Sequence, residues 1–296
     1  MPKIQTDVPR ITGLLVIEVR KSNPNGDPER ESSPRQRPDG RGEISPVSYK
    51  RKLRDLVAAK DGPVWEELAK QFTPALEEKS FQIIESRGRD RGEIIAEMQR
   101  NEFIDKYWDA RLFGSTFLES RQNVEKDLER KLSDKEWEEL QKYVRSGAAH
   151  FGVGISVAPI EIEFSTWTNK SGVETGKDRG MAPMAFRVVK HGLYTMPFFV
   201  NPSQAHKTGC KKRDVELMLQ LLRYAYPHTM SVIRTMVEVR HAHVFTHKSA
   251  LGSVSDFALI DALTPKHIEG DTYAIPTWDE IKAPFTAKGE YRDYAV

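Results

Sequence analysis

ITGLLVIEVR, residues 11–20, is the stretch from which the fold is read. Its apolar, β-branched run ends in the alternation Val16, Ile17, Glu18, Val19, which marks a core strand. Residues 22–44 cannot continue it, because they hold Pro24, Pro28, Pro34 and Pro38 together with Gly26, Gly40 and Gly42. A long loop without persistent regular structure is expected there. Ser45-Pro46 then supplies an N-cap and a proline at the first helical position, and VSYKRKLRDLVAAK runs as a helix to a stop at Gly62. On that helix Val47, Leu53, Leu56 and Val57 are expected to face a core, with Lys50, Arg51 and Arg54 together on another side.

Outward from this pair of elements, helical stretches are expected from Pro63, over Arg91 to Ala110, and over Ser133 to Val144, where Ser133 and Glu136 make an S-x-x-E capping box. From Val153 the period changes. GISVAPIEIEFSTW sets Ile160, Ile162 and Phe164 against Glu161, Glu163 and Ser165, a half-exposed strand. The polar TNKSGVETGKDRG follows, and strands resume at AFRVV and GLYTMPFFV, so a hairpin-like excursion is expected. Asp214 opens a helix through Tyr226, Val237 to Thr246 reads as a strand, and Phe257 to Leu263 is short and apolar. Strand, helix, helical insertion, strands, helix, strand suits an α+β sandwich of the ferredoxin-like or RNA-recognition type.

The chain has 296 residues, of which 39% are apolar and 30% charged. No apolar run reaches the roughly 18 to 20 residues of a membrane span, and the N-terminus lacks a signal-peptide pattern. With Cys210 the sole cysteine, no intrachain disulfide can form, and a reducing cytoplasm is the expected compartment. The net charge of +2 hides opposed segments. Residues 1–60 carry 13 basic and 8 acidic side chains, residues 61–143 carry 14 and 20, and residues 170–248 carry 13 and 5. Separated basic and acidic faces suit a polyanion on one side and protein surfaces on the other, or else are solvated faces of differing composition.

Sequence signatures of nucleotide hydrolysis, zinc proteolysis, serine hydrolysis and His-Asp metal nucleases are missing. His241, His243 and His247 share strand parity, but no cysteine or carboxylate lies close in sequence to complete a metal shell. Phosphate contact or ordinary sheet-surface histidine is the expectation, with no metal and no cofactor. Lys211, Lys212 and Arg213 could lower the pKa of Cys210, yet a lone thiol without a base is expected to be structural. In Asn23-Pro24-Asn25-Gly26-Asp27-Pro28, successive N–H groups can point into one concavity suited to a phosphate or a neighbouring carboxylate. With the Lys50, Arg51, Lys52 and Arg54 helix it forms either a nucleic-acid backbone surface or a plain turn plus a solvated helix. Arg111 could reach a phosphate or pair with Asp109.

SNPNGDP, the SYKRKLRD helix, YWDARLFG, VVKHGLY and VFTHKSALG, in this order along nearly the whole chain, resemble the backbone subunits of type I CRISPR interference complexes (the Cas-seven, Csd-two/Csh-two family), nearest to type I-C and then I-B. The resemblance implies a non-catalytic protein with a palm at residues 1–60 and 146–296, helical fingers at 61–145 and a thumb hairpin at about 166–185. It implies copies polymerised along a CRISPR RNA that is presented to a target DNA strand, with capping, large and small subunits and a recruited helicase-nuclease as partners, and no membrane. By position, Asn23 and Asn25 shape the loop near the guide, and Lys50, Arg51 and Arg54 contact phosphates. Arg111 and Arg145 support the strand from the insertion, Lys190 and His191 belong to the RNA-binding set, and Trp167, Arg179 and Met181 belong to the thumb. GKDRGMAP departs from the family's G-D-N-R-like thumb run. Related type III proteins cut target RNA through a loop aspartate, and Asp27 occupies a comparable loop, although a single carboxylate rarely organises Mg²⁺.

Overall fold

Ile11–Ser22 (β1) forms the strand that its alternation requires and lies at the centre of the protein, in a computed structural model that describes residues 7–85, 91–100, 102–115, 120–170 and 181–296. The segment after it is more ordered than its prolines suggest. Gly26–Asp27 (β2) and Ser33–Pro34 (β3) pair, and Arg41–Ile44 (β4) joins the main sheet. Backbone bonds that bypass the proline nitrogens make this possible, among them Arg35 N to Asn25 O (3.1 Å) and Glu43 N to Arg35 O (2.9 Å).

Pro46–Ala58 (α1) starts as expected, with Ser45 Oγ accepting from Ser48 N at 3.2 Å. Its buried stripe is Tyr49, Leu53, Leu56 and Val57, and it takes in Lys52 and Arg54 as well. Val47, expected inside, is 67% exposed because it lies across the helix from Tyr49.

Pro63–Gln71 (α2), Arg91–Gln99 (α3), Phe103–Lys106 (α4), Trp108–Phe113 (α5), Gly114–Ser115 (β5), Arg121–Asp127 (α6) and Asp134–Gln141 (α7) follow, and Arg145–Ser146 (β6) pairs with β5. The helix expected over Arg91 to Ala110 is instead α3, α4 and the start of α5, with the last break at Tyr107, where Gln82 exchanges backbone bonds with Lys106 and Trp108. The capping box of Ser133 and Glu136 is present.

Ala149–Phe151 (β7), Gly154–Pro159 (β8), Ile162–Lys170 (β9) and Met181–Val200 (β10) come next. The strand expected from Val153 is thus two, and the two expected at AFRVV and GLYTMPFFV are one of 20 residues. Pro202–Thr208 (α8), Lys212–Leu221 (α9), Val237–His247 (β11), Asp256–Leu263 (α10), Lys266–Glu269 (β12), Thr272–Ala274 (β13), Trp278–Ile281 (α11) and Gly289–Asp293 (β14) complete the chain.

The large sheet runs β14-β11-β1-β10-β8-β4, antiparallel at each pairing, with β7 and β9 also on β10. β1, α1, β8, β10, α9 and β11 succeed one another as strand-helix-strand-strand-helix-strand, and their strands lie side by side as β11-β1-β10-β8. On one face Leu15, Ile17 and Tyr194 pack with Tyr49, Leu53, Val215 and Met218. The chain after β11 covers part of the other face, where Leu259 and Phe285 pack with Phe245 of β11. A separate core lies within the helical stretch, around Ile95, Met98, Phe103, Tyr107, Val124 and Leu140. β10 continues past the main sheet to pair with β9, from Val189 opposite Ile162 to Met181 opposite Lys170, as a two-stranded arm about 30 Å long. No helix among the described residues is long and apolar enough to cross a membrane.

Candidate nucleic-acid interface

Three cations, Lys50, Lys52 and Arg234, gather around the N-terminal half of α1. The first turn of α1 contains no acidic residue, so the partial positive charge of its N-terminus is uncompensated. Lys50 is half-buried, with its ammonium 5.6 Å from the centre of the Phe113 ring. Burial, then the neighbouring Arg54 charge, pushes its pKa down. Lys52 is 4% exposed; its Nζ donates to Ser48 O and Oγ, both at 3.2 Å, and lies 5.1 Å from the Tyr226 ring. Burial, then the Arg234 charge, pulls its pKa down to about 7. Arg234 in turn donates from Nε to Asn23 O at 3.3 Å, which sets its guanidinium against the SNPNGDP loop. Among the described residues none of these three cations has a carboxylate within 4.0 Å. Desolvated cations without counter-ions favour an incoming anion, since each recovers on binding the Coulomb energy that burial has withheld.

Asn23 and Asn25 are structural parts of the loop; their side chains do not line its outer surface. Asn23 Nδ2 donates to Ser32 O at 2.7 Å, and Asn25 Oδ1 accepts from Ser45 N at 2.7 Å, tying the loop to the start of α1. Arg51 is partly exposed and shared between Asp55 (2.6 Å) and Glu85 O (2.7 Å).

Two residues of the expected RNA-binding set, Arg54 and Arg111, face inward. Arg54 is 3% exposed, with Nε 2.9 Å from Asp109 Oδ2 and Nη2 3.0 Å from Glu85. Arg111 is 2% exposed and forks onto Asp214 at 2.9 and 2.7 Å, while donating to Ile104 O, Asp105 O and Ser80 O. Asp109, the partner considered for Arg111, is taken by Arg54 and by Ile84 N (2.8 Å). YWDARLFG is therefore a joint between the helical stretch and α9, closed by Trp108 Nε1 donating to Asp214 O at 3.1 Å. Gly114 ends it at φ +86°, where a Cβ would stand 2.3 Å from Arg145 O.

Arg145 donates to Lys207 O of α8. Lys190 pairs with Glu161 at 2.9 Å. His191 is held between Glu18 (3.0 Å) and Asp271 (3.3 Å), beside Tyr273 of β13. Arg179 lies outside the described residues, and of Trp167 and Met181 the strand positions alone are described, near the far end of the β9–β10 arm. On that arm Phe164 is 62% exposed with the Arg187 guanidinium 5.3 Å from its ring centre.

Asp27 caps a short 3-10 turn by accepting from Glu29 N at 3.2 Å, with Arg35 at 3.9 Å. Burial, then the Asp214 charge, pushes the Cys210 thiol up against the lowering influence of Arg111. A cleft of about 270 Å³ is lined by β1, β11 and the segment before β11, but its Arg20 and Arg240 both pair with Glu18, which leaves it little net charge. Sequence reasoning missed Arg234, a lone cation in SVIRTM whose proximity to Lys52 no local pattern announces.

The sequence model of the family described as CRISPR-associated protein Cas7 matches residues 9–286. Among solved structures, a chain of one described as a CRISPR RNA-guided surveillance complex is 16% identical with a TM-score of 0.48, over 90% of this chain and 78% of that one. A chain of a pre-nicking CRISPR RNA-guided surveillance complex is 16% identical with a TM-score of 0.42, over 80% and 78%. A chain of a type III-B Cmr-beta complex bound to cognate target RNA is 9% identical with a TM-score of 0.42, over 80% and 61%. No curated protein matches the sequence.

Proposed function

The chain belongs to the CRISPR-associated protein Cas7 family, and from that premise we propose that it is a non-catalytic backbone subunit of a type I interference complex. Successive copies polymerise along one CRISPR RNA, hold it by its phosphates and present its bases to a target DNA strand. The sheet with strands β11-β1-β10-β8 and helices α1 and α9 is the RNA-recognition-type palm, the stretch from α2 to α7 the fingers, and the β9–β10 arm the thumb. Capping, large and small subunits and a helicase-nuclease complete the assembly, in the cytoplasm.

The observation that carries the RNA contact is the set of Lys50, Lys52 and Arg234 around an acid-free helix N-terminus, cations that among the described residues have no carboxylate within 4.0 Å. Backbone phosphates are the ligand this arrangement suits, because it is positive and offers no base-specific pattern of donors and acceptors. The test is fluorescence anisotropy with a labelled CRISPR RNA and the full chain. Lys50→Ala with Lys52→Met is expected to weaken binding about tenfold or more at moderate salt, with folding intact by circular dichroism; unchanged affinity would overturn the reading. In the catalytic alternative the Asp27 carboxylate would have to leave its turn cap, where it accepts from Glu29 N. Mg²⁺-dependent cutting of complementary RNA that disappears in Asp27→Ala would establish it instead.

A further inference from the structure

We propose that His241, His243 and Asp293 bind one divalent transition-metal ion of the zinc type, which fastens the last strand to the sheet. The three residues come together through the pairing of β11 with β14, in which His243 stands directly opposite Asp293. His241 and His243 are two positions apart and project to the same side, their rings stacked at 5.1 Å with 4° between planes. Asp293 is aimed at them. Its Oδ1 is held by Ala242 N (2.9 Å) and Ala295 N (3.0 Å), which leaves Oδ2 at 2.8 Å from His241 Nδ1 and 3.9 Å from His243 Nδ1.

Ligand-capable atoms of all three residues lie within 4.8 Å of one another. With metal bonds of about 2.0–2.1 Å, neighbouring donors in a tetrahedral shell stand about 3.4 Å apart, so side-chain shifts of about 1 Å close the shell. Two imidazoles and one carboxylate select zinc, cobalt, nickel or copper over magnesium or calcium, which prefer all-oxygen shells. Carboxylate fixation by backbone N–H groups is the outer-sphere support that such ligands have elsewhere.

A second observation separates these histidines from an ordinary hydrogen-bonded pair. His243 is 2% exposed; among the described residues its Nε2 has no hydrogen-bond partner, and its Nδ1 meets the Tyr291 hydroxyl at 2.7 Å and Asp293 Oδ2 at 3.9 Å. His247, on the same strand, is satisfied at both nitrogens, by Thr12 Oγ1 at 2.9 Å and by Ser253 N at 3.0 Å. It also stands about 13 Å along the strand from His243, too far to share an ion. The His241 side chain is 29% exposed, which gives an ion a way in. β14 is the edge strand of the sheet, so an ion here joins that edge to β11.

The test uses the full chain without an affinity tag, stripped by a chelator and titrated with Zn²⁺ by calorimetry and with Co²⁺ by visible absorption. One ion per chain is expected, with the intense bands of four-coordinate cobalt and a zinc-dependent rise in melting temperature. Asp293→Asn keeps an oxygen for the two backbone N–H groups, and His241→Gln alters a partly exposed side chain. Each is expected to weaken binding about tenfold or more and to abolish the melting shift, while His206→Gln, at an exposed histidine elsewhere, changes neither. No stoichiometric binding, or binding that survives both Asp293→Asn and His241→Gln, would overturn the proposal.

Discussion

Arg54 and Arg111 at the joint of the helical stretch, and Lys50 and Lys52 beside the loop after β1, are all basic residues drawn into the protein, and they differ in what meets them. The arginines end on Asp109 and Asp214, carboxylates that are themselves fully buried. The lysines end on a ring, a carbonyl and a hydroxyl. A planar guanidinium can use several acceptors at fixed angles and suits a sealed joint, whereas an unpaired ammonium keeps its attraction for an anion from outside. Positive charge in a sequence therefore says little about ligand binding until its internal partners are known.

The largest effect expected from this contrast is on stability. Arg111→Ala leaves Asp214 charged and buried without its partner and is expected to cost about 3–5 kcal/mol in a denaturant titration. Lys52→Met removes a buried cation whose hydrogen bonds go only to the neutral Ser48 O and Oγ, so its melting temperature should match or exceed that of the wild type. Equal losses in the two variants would erase the distinction.

A smaller effect comes from pH. The Lys52 pKa in the folded chain, about 7, lies below its reference of 10.5. Between those values the unfolded chain holds the extra proton, so stability attributable to Lys52 rises with pH across that window. RNA binding favours the charged ammonium and runs the other way. Affinity is expected to fall as pH passes from 6.5 to about 8.5, and Lys52→Arg, which stays charged, should flatten that profile. The smallest effect is at the cap: Ser45→Ala is expected to cost about 1 kcal/mol by thermal melting, because it frees the Ser48 N–H at the same helix end.

What was legible in the sequence was local. The alternation of β1, the Ser45-Pro46 start of α1 and the Ser133/Glu136 box each need only neighbours within a few residues. The partners were not legible, because they come from elsewhere in the chain. Asp214 is 103 positions from Arg111, and Asp293 is 52 positions from His241. Strand parity set His241, His243 and His247 on one face, but distance along the strand sends His247 to Thr12. The edge strand β14 and the β12–β13 hairpin carried no apolar alternation strong enough to announce them. In the candidate interface the helix itself was visible, and which of its cations face inward depended on the packing of α5 against it.

The salt dependence of RNA binding tests the central claim most directly. For single strands, log affinity falls against log salt concentration with a slope of about −0.7 per phosphate neutralised. If Lys50 and Lys52 each meet a phosphate, the slope for the Lys50→Ala, Lys52→Met chain should be shallower than that of the wild type by about 1.4. An identical slope and affinity in the two proteins would show that the RNA is held elsewhere.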